Sequence, residues 1–412
     1  MEHNKNFEPG TPSGGQLRAE ATLSARRVSR RAFLSDCTVG LAALTVGSSM
    51  VACGDDSSVR PDGSESAVDE RRETEPRVAW VRDPAATSWD FSSSTRYFDF
   101  IDQDTVNGMM DAALVALTRE SDPAAAWGRV MGAYKTGDIV AVKINTNDAN
   151  WGDGLINAVS EVIIAVVRGL LSAGVPGELI HVYDAMRPGA GRMPSYIPDR
   201  THAVYGNVVF MDHDTATWGT GFPDEEIVYA GAIDHICSHL CEAHHLISIP
   251  LLKAIAPDWG STGALKLHNG TIRYPAKTHG SLYSADPTVN AVAIINSNFH
   301  ICDKLRLVVA DGLFGMDSGT HFPTEDPAEN HDDIPRPWQI FGHRAANTLL
   351  AAFDPVAIDS VMQDIIEQER AARGLAVMGR PILQAAAAAN LGVHETSAAL
   401  QYRRIDLVRI DQ

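Results

Sequence analysis

The chain has 412 residues, 45% of them hydrophobic, and a formal net charge of −18. That size and composition support one large or two moderate globular domains and exclude a fibrous or wholly disordered protein. The acidity, with no Lys/Arg cluster after residue 77, excludes a nucleic-acid partner, which would need a basic face to neutralise phosphate.

The first element in the chain is an address. Ser29-Arg30-Arg31-Ala32-Phe33-Leu34 precedes a mostly apolar run over residues 37–51. The pattern reads as a twin-arginine export signal, because the run is shorter than the roughly 20 residues of a membrane span. At its end, Met50-Val51-Ala52-Cys53-Gly54 has the form of a lipoprotein signal in which Cys53 becomes the acylated N-terminus. Cleavage by an ordinary signal peptidase near Ala52 is the alternative. Residues 54–77 are polar and lack any apolar period, as a disordered tether would. The organisation read here is a signal over 1–53, a tether over 54–77 and a folded body over 78–412. Its expected place is the periplasm or cell envelope. The twin-arginine translocase is its partner during export, and a lipid anchor then holds it to the membrane.

In the body, residues 78–81 read as a short strand and 104–117 as an amphipathic helix with Asp102 or Asp104 as N-cap. The apolar run 139–144 reads as a strand that runs into Asn145. Residues 155–173 carry helical periodicity and stop at Gly174, after which 179–183 and 208–211 read as strands ending at Asp184 and Asp212. A helix is expected over 233–243, a strand over 246–249, and a Gly-punctuated loop from there to Gly270. A helix near 289–299 precedes a strand at 305–310 that ends at Asp311-Gly312. Residues 348–352 read as a strand leading into Asp354-Pro355 and a helix to about Arg370. An Ala-rich helix over 381–390 and a closing segment over 402–410 complete the chain. Short apolar strands alternating with helices predict an α/β fold, with a largely parallel sheet, helices on both faces, and one large or two closely associated lobes.

Three cysteines remain in the body: Cys237, Cys241 and Cys302. On a helix over 233–243, His235 and His239 would share one face and Cys237 and Cys241 another, so the two pairs would not converge on one ion. Small buried thiols and partly exposed histidines are the expectation.

Only seven of the 34 basic residues are lysines, and three stand where strands end or glycines cluster: Lys143, Lys253 and Lys266. Arg cannot act as a base or Schiff-base nucleophile, whereas Lys is a compact charge with a tunable pKa. In open α/β sheets, ligands bind beyond the carboxyl ends of the strands. Lys143 and Asn145, Asp184, Lys253 and Asp311 all follow apolar runs directly. The loop from Trp259 to Gly270 adds Thr262, Gly263, Lys266, His268 and Asn269. Its glycines permit close backbone approach to an anion, and a helix starting near Thr262 would add its N-terminal N–H groups. Clustered lysines would depress one another's pKa and favour a neutral amine. His268 and His279 are placed to act as base or metal ligand, with Asp184 or Asp311 to orient them.

Val142-Lys143-Ile144-Asn145, Thr262-Gly263-Ala264-Leu265-Lys266, Asp311-Gly312 and Asp354-Pro355-Val356-Ala357-Ile358-Asp359, in this order and spacing, resemble the uncharacterised family called domain of unknown function 362. The resemblance covers most of residues 135–375. Members are often exported by twin-arginine signals, and some carry ferredoxin-type cysteine clusters. This chain has no C-x₂-C-x₂-C run, so an iron–sulfur cluster is not expected. Relatives commonly carry a His directly after the Lys253 position, where this chain has Ala254. The succession of strand, Gly-rich loop with Lys, then His is also distantly similar to the N-terminal domain of nickel-dependent lactate racemase, whose paired catalytic histidines have no clear match here.

The expected function is that of an exported lipoprotein enzyme acting on a small anionic substrate. Lys266, His268 and Lys253 would be catalytic, with Lys143, Asn145, Asp184, Thr262, Gly263, Asn269, His279 and Asp311 around the ligand. The alternative is a non-catalytic ligand- or metal-binding or redox-accessory lipoprotein using the same pocket. The sequence names no cofactor and leaves room for a metal ion or an organic group.

Overall fold

Apolar runs of four to six residues, rich in Val, Ile and Leu, pair into one large sheet that organises the body. The computed structural model describes residues 76–92, 95–149, 155–186, 193–318 and 335–412. The export signal, Cys53 and nearly all of the tether lie outside the described residues.

The strands are β1 (Arg77–Arg82), β2 (Val140–Lys143), β3 (Ile180–Asp184), β4 (Val209–Asp212), β5 (Glu226–Tyr229), β6 (Ala232–His235), β7 (His245–Ser248), β8 (Leu251–Lys253), β9 (Leu305–Met316), β10 (Thr348–Ala352) and β11 (Asp406–Asp411). The nine-stranded sheet has the order β11-β1-β10-β9-β7-β2-β3-β4, with β8 also paired to β9. From β9 to β4 every pairing is parallel, and β1 and β11 are parallel to each other. Only β10 runs against both its neighbours. The fold is therefore α/β with a mostly parallel sheet.

Successive side chains of a strand point to opposite faces, and the core divides accordingly. Ala79, Val81, Val140, Val142, Leu349 and Ala351 pack under the helices Gln103–Thr118, Pro123–Val130 and Ser160–Ser172. Val78, Trp80, Ala141, Leu350 and Ala352 face the other way, against Ile358, Val361, Met362 and Ile365 of the helix Pro355–Ala372. The sheet is thus covered on both faces, which is why its strands read as continuous apolar runs.

Helix starts follow their capping residues. Asp102 accepts from the Thr105 N–H at 2.8 Å. Asp354, with Pro355 at the first helical position, accepts from the N–H groups of Val356 and Ala357, each at 2.8 Å.

Three expectations fail. The helix expected over 155–173 starts only at Ser160. The helix expected over 233–243 does not form: β6 occupies its first part, paired with β5 across the Ala230-Gly231 turn, and a short helix, Ser238–Cys241, follows. Both turn residues have positive φ, 50° and 72°, as a tight two-residue hairpin requires. His235 and His239 therefore share no helix face, and His239 is buried rather than partly exposed. The strand expected to end before Asp311 instead continues to Met316, held by β10 on one side and β7 and β8 on the other.

Candidate functional site

Lys143 closes β2, Asp184 closes the neighbouring parallel β3, and Lys253 closes β8. Their side chains leave the sheet at its carboxyl end, and the segment 262–270 folds over them. The cleft between is small, with a cavity volume of about 40 Å³, and is lined by Lys143, Asn145, Asn147, Asp184, Met186, Lys253, Thr262, Lys266, Leu267, Asn269 and Gly270.

Lys143 Nζ donates to Asp184 Oδ1 at 3.0 Å and to the Ile144 carbonyl at 2.6 Å. The other carboxylate oxygen of Asp184 accepts from the Thr146 N–H at 2.8 Å and its hydroxyl at 3.1 Å. Both charged groups are buried. Burial draws the Lys143 amine below its ordinary pKa, and the Asp184 charge opposes that shift. Desolvation, not repulsion from neighbouring lysines, is the leading cause, contrary to the sequence expectation. Lys253 pairs with the buried carboxylate of Asp148, which also accepts from Asn147 Nδ2 at 2.8 Å.

The overlying segment is fixed from behind. Thr262 donates its N–H to the Lys253 carbonyl at 2.8 Å. Gly263, at φ 23°, precedes the short helix Ala264–Leu267, and the Ala264 and Leu265 N–H groups both donate to Asp359, at 2.5 and 2.9 Å. A Cβ on Gly263 would fall inside that carboxylate. This corrects the sequence reading of the helix start as an anion nest: the protein's own Asp359 already fills that role. It also connects the two most telling motifs physically, since Asp359 of the Asp-Pro-Val-Ala-Ile-Asp run caps the Thr-Gly-Ala-Leu-Lys turn. Gly270 closes the segment where a Cβ would strike both Asp184 and Lys143, and its carbonyl accepts from the Ala185 N–H at 2.9 Å.

Of the residues selected from sequence, Lys143, Asn145, Asp184, Lys253, Thr262, Lys266 and Asn269 meet in this cleft. Four do not line it. Gly263 shapes the turn. His268 points into the core, 1% exposed, with Nε2 3.3 Å from Ser248 Oγ and Nδ1 3.4 Å from Thr271 Oγ1. Burial, followed by the nearby Lys143 charge, pushes its pKa down to about 3. A neutral imidazole sealed behind the wall, unlike the catalytic His268 expected from sequence, does not reach a ligand in the cleft. His279 is half-buried against Trp259, ring centroids 5.1 Å apart. Asp311 lies inside β9, accepting from Leu313 and Val159 N–H groups at 3.2 and 3.4 Å, with burial raising its pKa to about 7.

Asp148, Asn147 and Asp359 escaped the sequence reading. Asp148 and Asn147 stand just after Asn145 and carried the same strand-end signal, while Asp359 was read only as part of a helix start. Among the described residues, no three His, Cys, Asp or Glu side chains form a group that could hold a metal ion. Cys237 and Cys241 are buried thiols whose pKa values burial pushes up to about 12, so neither is a ready thiolate ligand.

Fold and geometry together define an α/β protein with a lysine-bearing cleft at the carboxyl ends of its parallel strands. The family model described as Domain of unknown function (DUF362) matches residues 140–364, and the chain belongs to that family. Every cleft residue falls within the match. No curated protein matches the chain.

Proposed function

We propose that this chain is an exported, lipid-anchored enzyme that takes a small anion into the lysine cleft and moves a proton on it. The observation that carries the reading is the convergence of Lys143, Lys253 and Lys266, three of seven lysines in the chain, on one small cleft. Lysine ammonium groups in a partly desolvated cleft attract an oxyanion strongly. Lys143, its pKa lowered by burial, is the group best suited to exchange a proton with a bound ligand. Lys266, half-exposed at the cleft, is the natural first contact.

The second reading is ligand capture without turnover. It is favoured by the pairing of both buried lysines with carboxylates, Lys143 with Asp184 and Lys253 with Asp148. Calorimetric titration of small carboxylates and phosphates into the full chain tests both readings. A Lys266→Met variant that folds normally and binds about tenfold more weakly supports the cleft, and unchanged affinity rejects it. Recovery of the ligand unchanged after incubation selects capture over catalysis.

Export and anchoring rest on Arg30-Arg31 with Phe33-Leu34 and on Ala52-Cys53. Cys53→Ala should move the protein out of the membrane fraction, and a mature N-terminus other than a modified Cys53 in mass spectra would reject the anchor.

A further inference from the structure

Asn269 sits in the cleft wall, 2% exposed, on the turn His268–Thr271 that follows Lys266. Its amide orientation is fixed by a neighbour. Thr278 spends its hydroxyl hydrogen on the Pro275 carbonyl at 2.7 Å, so it can only accept from Asn269, whose Nδ2 lies 2.9 Å away. Nδ2 therefore faces Thr278 and Oδ1 faces the other side of the planar amide. That oxygen is buried and has no hydrogen-bond partner among the described residues.

An acceptor left in this state is destabilised relative to a bonded one, because it has lost water and gained no donor. Four donors of the cleft wall are directed elsewhere: Lys143 to Asp184 and the Ile144 carbonyl, Lys253 to Asp148, Asn147 Nδ2 to Asp148, and the Thr262 hydroxyl to the Lys253 carbonyl. A hydroxyl on a ligand that enters the cleft can supply the missing hydrogen.

We infer that the anion taken by this cleft carries its own hydroxyl group, which donates to Asn269 Oδ1 while the charged oxygens face the lysine ammonium groups. The inference rests on the anion-binding reading above and narrows it to hydroxyl-bearing oxyanions. Oδ1 is closed to solvent in this conformation, so the hydroxyl reaches it by parting the lining side chains. The same chemistry is offered by a protonated phosphate and by a hydroxycarboxylate. In each case the analogue lacking the hydroxyl keeps the charge and leaves Oδ1 unbonded.

The test is calorimetric titration of the full chain with two matched pairs: monohydrogen phosphate against sulfate, at a pH where phosphate is mainly the dianion, and glycolate against acetate. The hydroxyl-bearing member of at least one pair should bind about tenfold tighter or more. The pair that discriminates identifies the source, phosphate or carboxylate. Asn269→Leu should bring that ratio to about one. Equal affinities within both pairs in the wild-type protein would overturn the inference and leave the anion-binding reading standing. Binding of none of these anions would overturn both. The wild-type comparison decides the matter even if the variant does not fold.

Discussion

At the scale of single residues, the cleft depends on groups that never touch a ligand. Asp359 accepts two N–H groups at the start of the turn bearing Lys266, and Gly263 leaves just enough space for its carboxylate. Asp359→Asn keeps the shape but sets an NH₂ against an N–H donor, so a loss of about 1–3 kcal/mol in folding free energy is expected from denaturant titration. Gly263→Ala should cost at least as much, because its Cβ meets the carboxylate and its φ of 23° is strained for an L residue. A variant of either kind with wild-type stability would show that the turn is not held this way. His268 makes a different point. A His two residues after a Lys in a Gly-punctuated loop invites a catalytic reading, but here burial favours the neutral ring. Its proton resonances should show no titration between about pH 5 and 8, where an exposed His near 6.5 would move fully.

At the scale of elements, the sequence reveals most where a strand ends in a chemically useful side chain. Lys143 and Asp184 were legible because apolar runs stop at them, and the structure makes them the last residues of adjacent parallel strands. Asp311 gave the same signal and misled, because β9 runs on through it with partners on both sides. Local sequence cannot show where neighbours will extend a strand. The hairpin of β5 and β6 was missed for a similar reason, since Ala230 gives no hint of the positive φ that its turn imposes. Asp148 was invisible as a partner because its pairing with Lys253 joins residues 105 apart in the chain. For the pair that was legible, the energetics are testable. Removing only Lys143 as Lys143→Met, or only Asp184 as Asp184→Leu, leaves one buried charge uncompensated, and each should cost about 3–5 kcal/mol. The double variant should recover a substantial part of that loss, as measured by a double-mutant cycle. Strict additivity of the two single losses would mean that the ion pair contributes nothing as a pair.

At the scale of the whole molecule, the sheet is covered on both faces, and it buries titratable groups of opposite kinds whose effects on stability run in opposite directions with pH. Burial holds His268 down to about 3 and, with the Arg306 charge, His245 down to about 4. The unfolded chain binds protons at these positions that the folded chain refuses, so their contribution is present above about pH 6.5 and lost as pH falls. Asp311 behaves in the opposite sense. Burial raises it to about 7, so between about pH 4 and 7 the folded chain keeps a proton that the unfolded chain releases. Its contribution falls as pH rises through that window and is constant above it. Asp311→Asn separates the two effects, because the amide cannot ionise while the histidines are untouched. Near pH 4 the wild type should be the more stable of the two, since a protonated Asp311 is neutral and fits its site. Between about pH 4 and 8 the wild type should lose up to about 4 kcal/mol relative to the variant. Urea denaturation of both proteins across that range measures the difference directly. A constant gap between the two curves would mean that Asp311 is ionised in the folded state throughout, and that β9 does not exclude water from it.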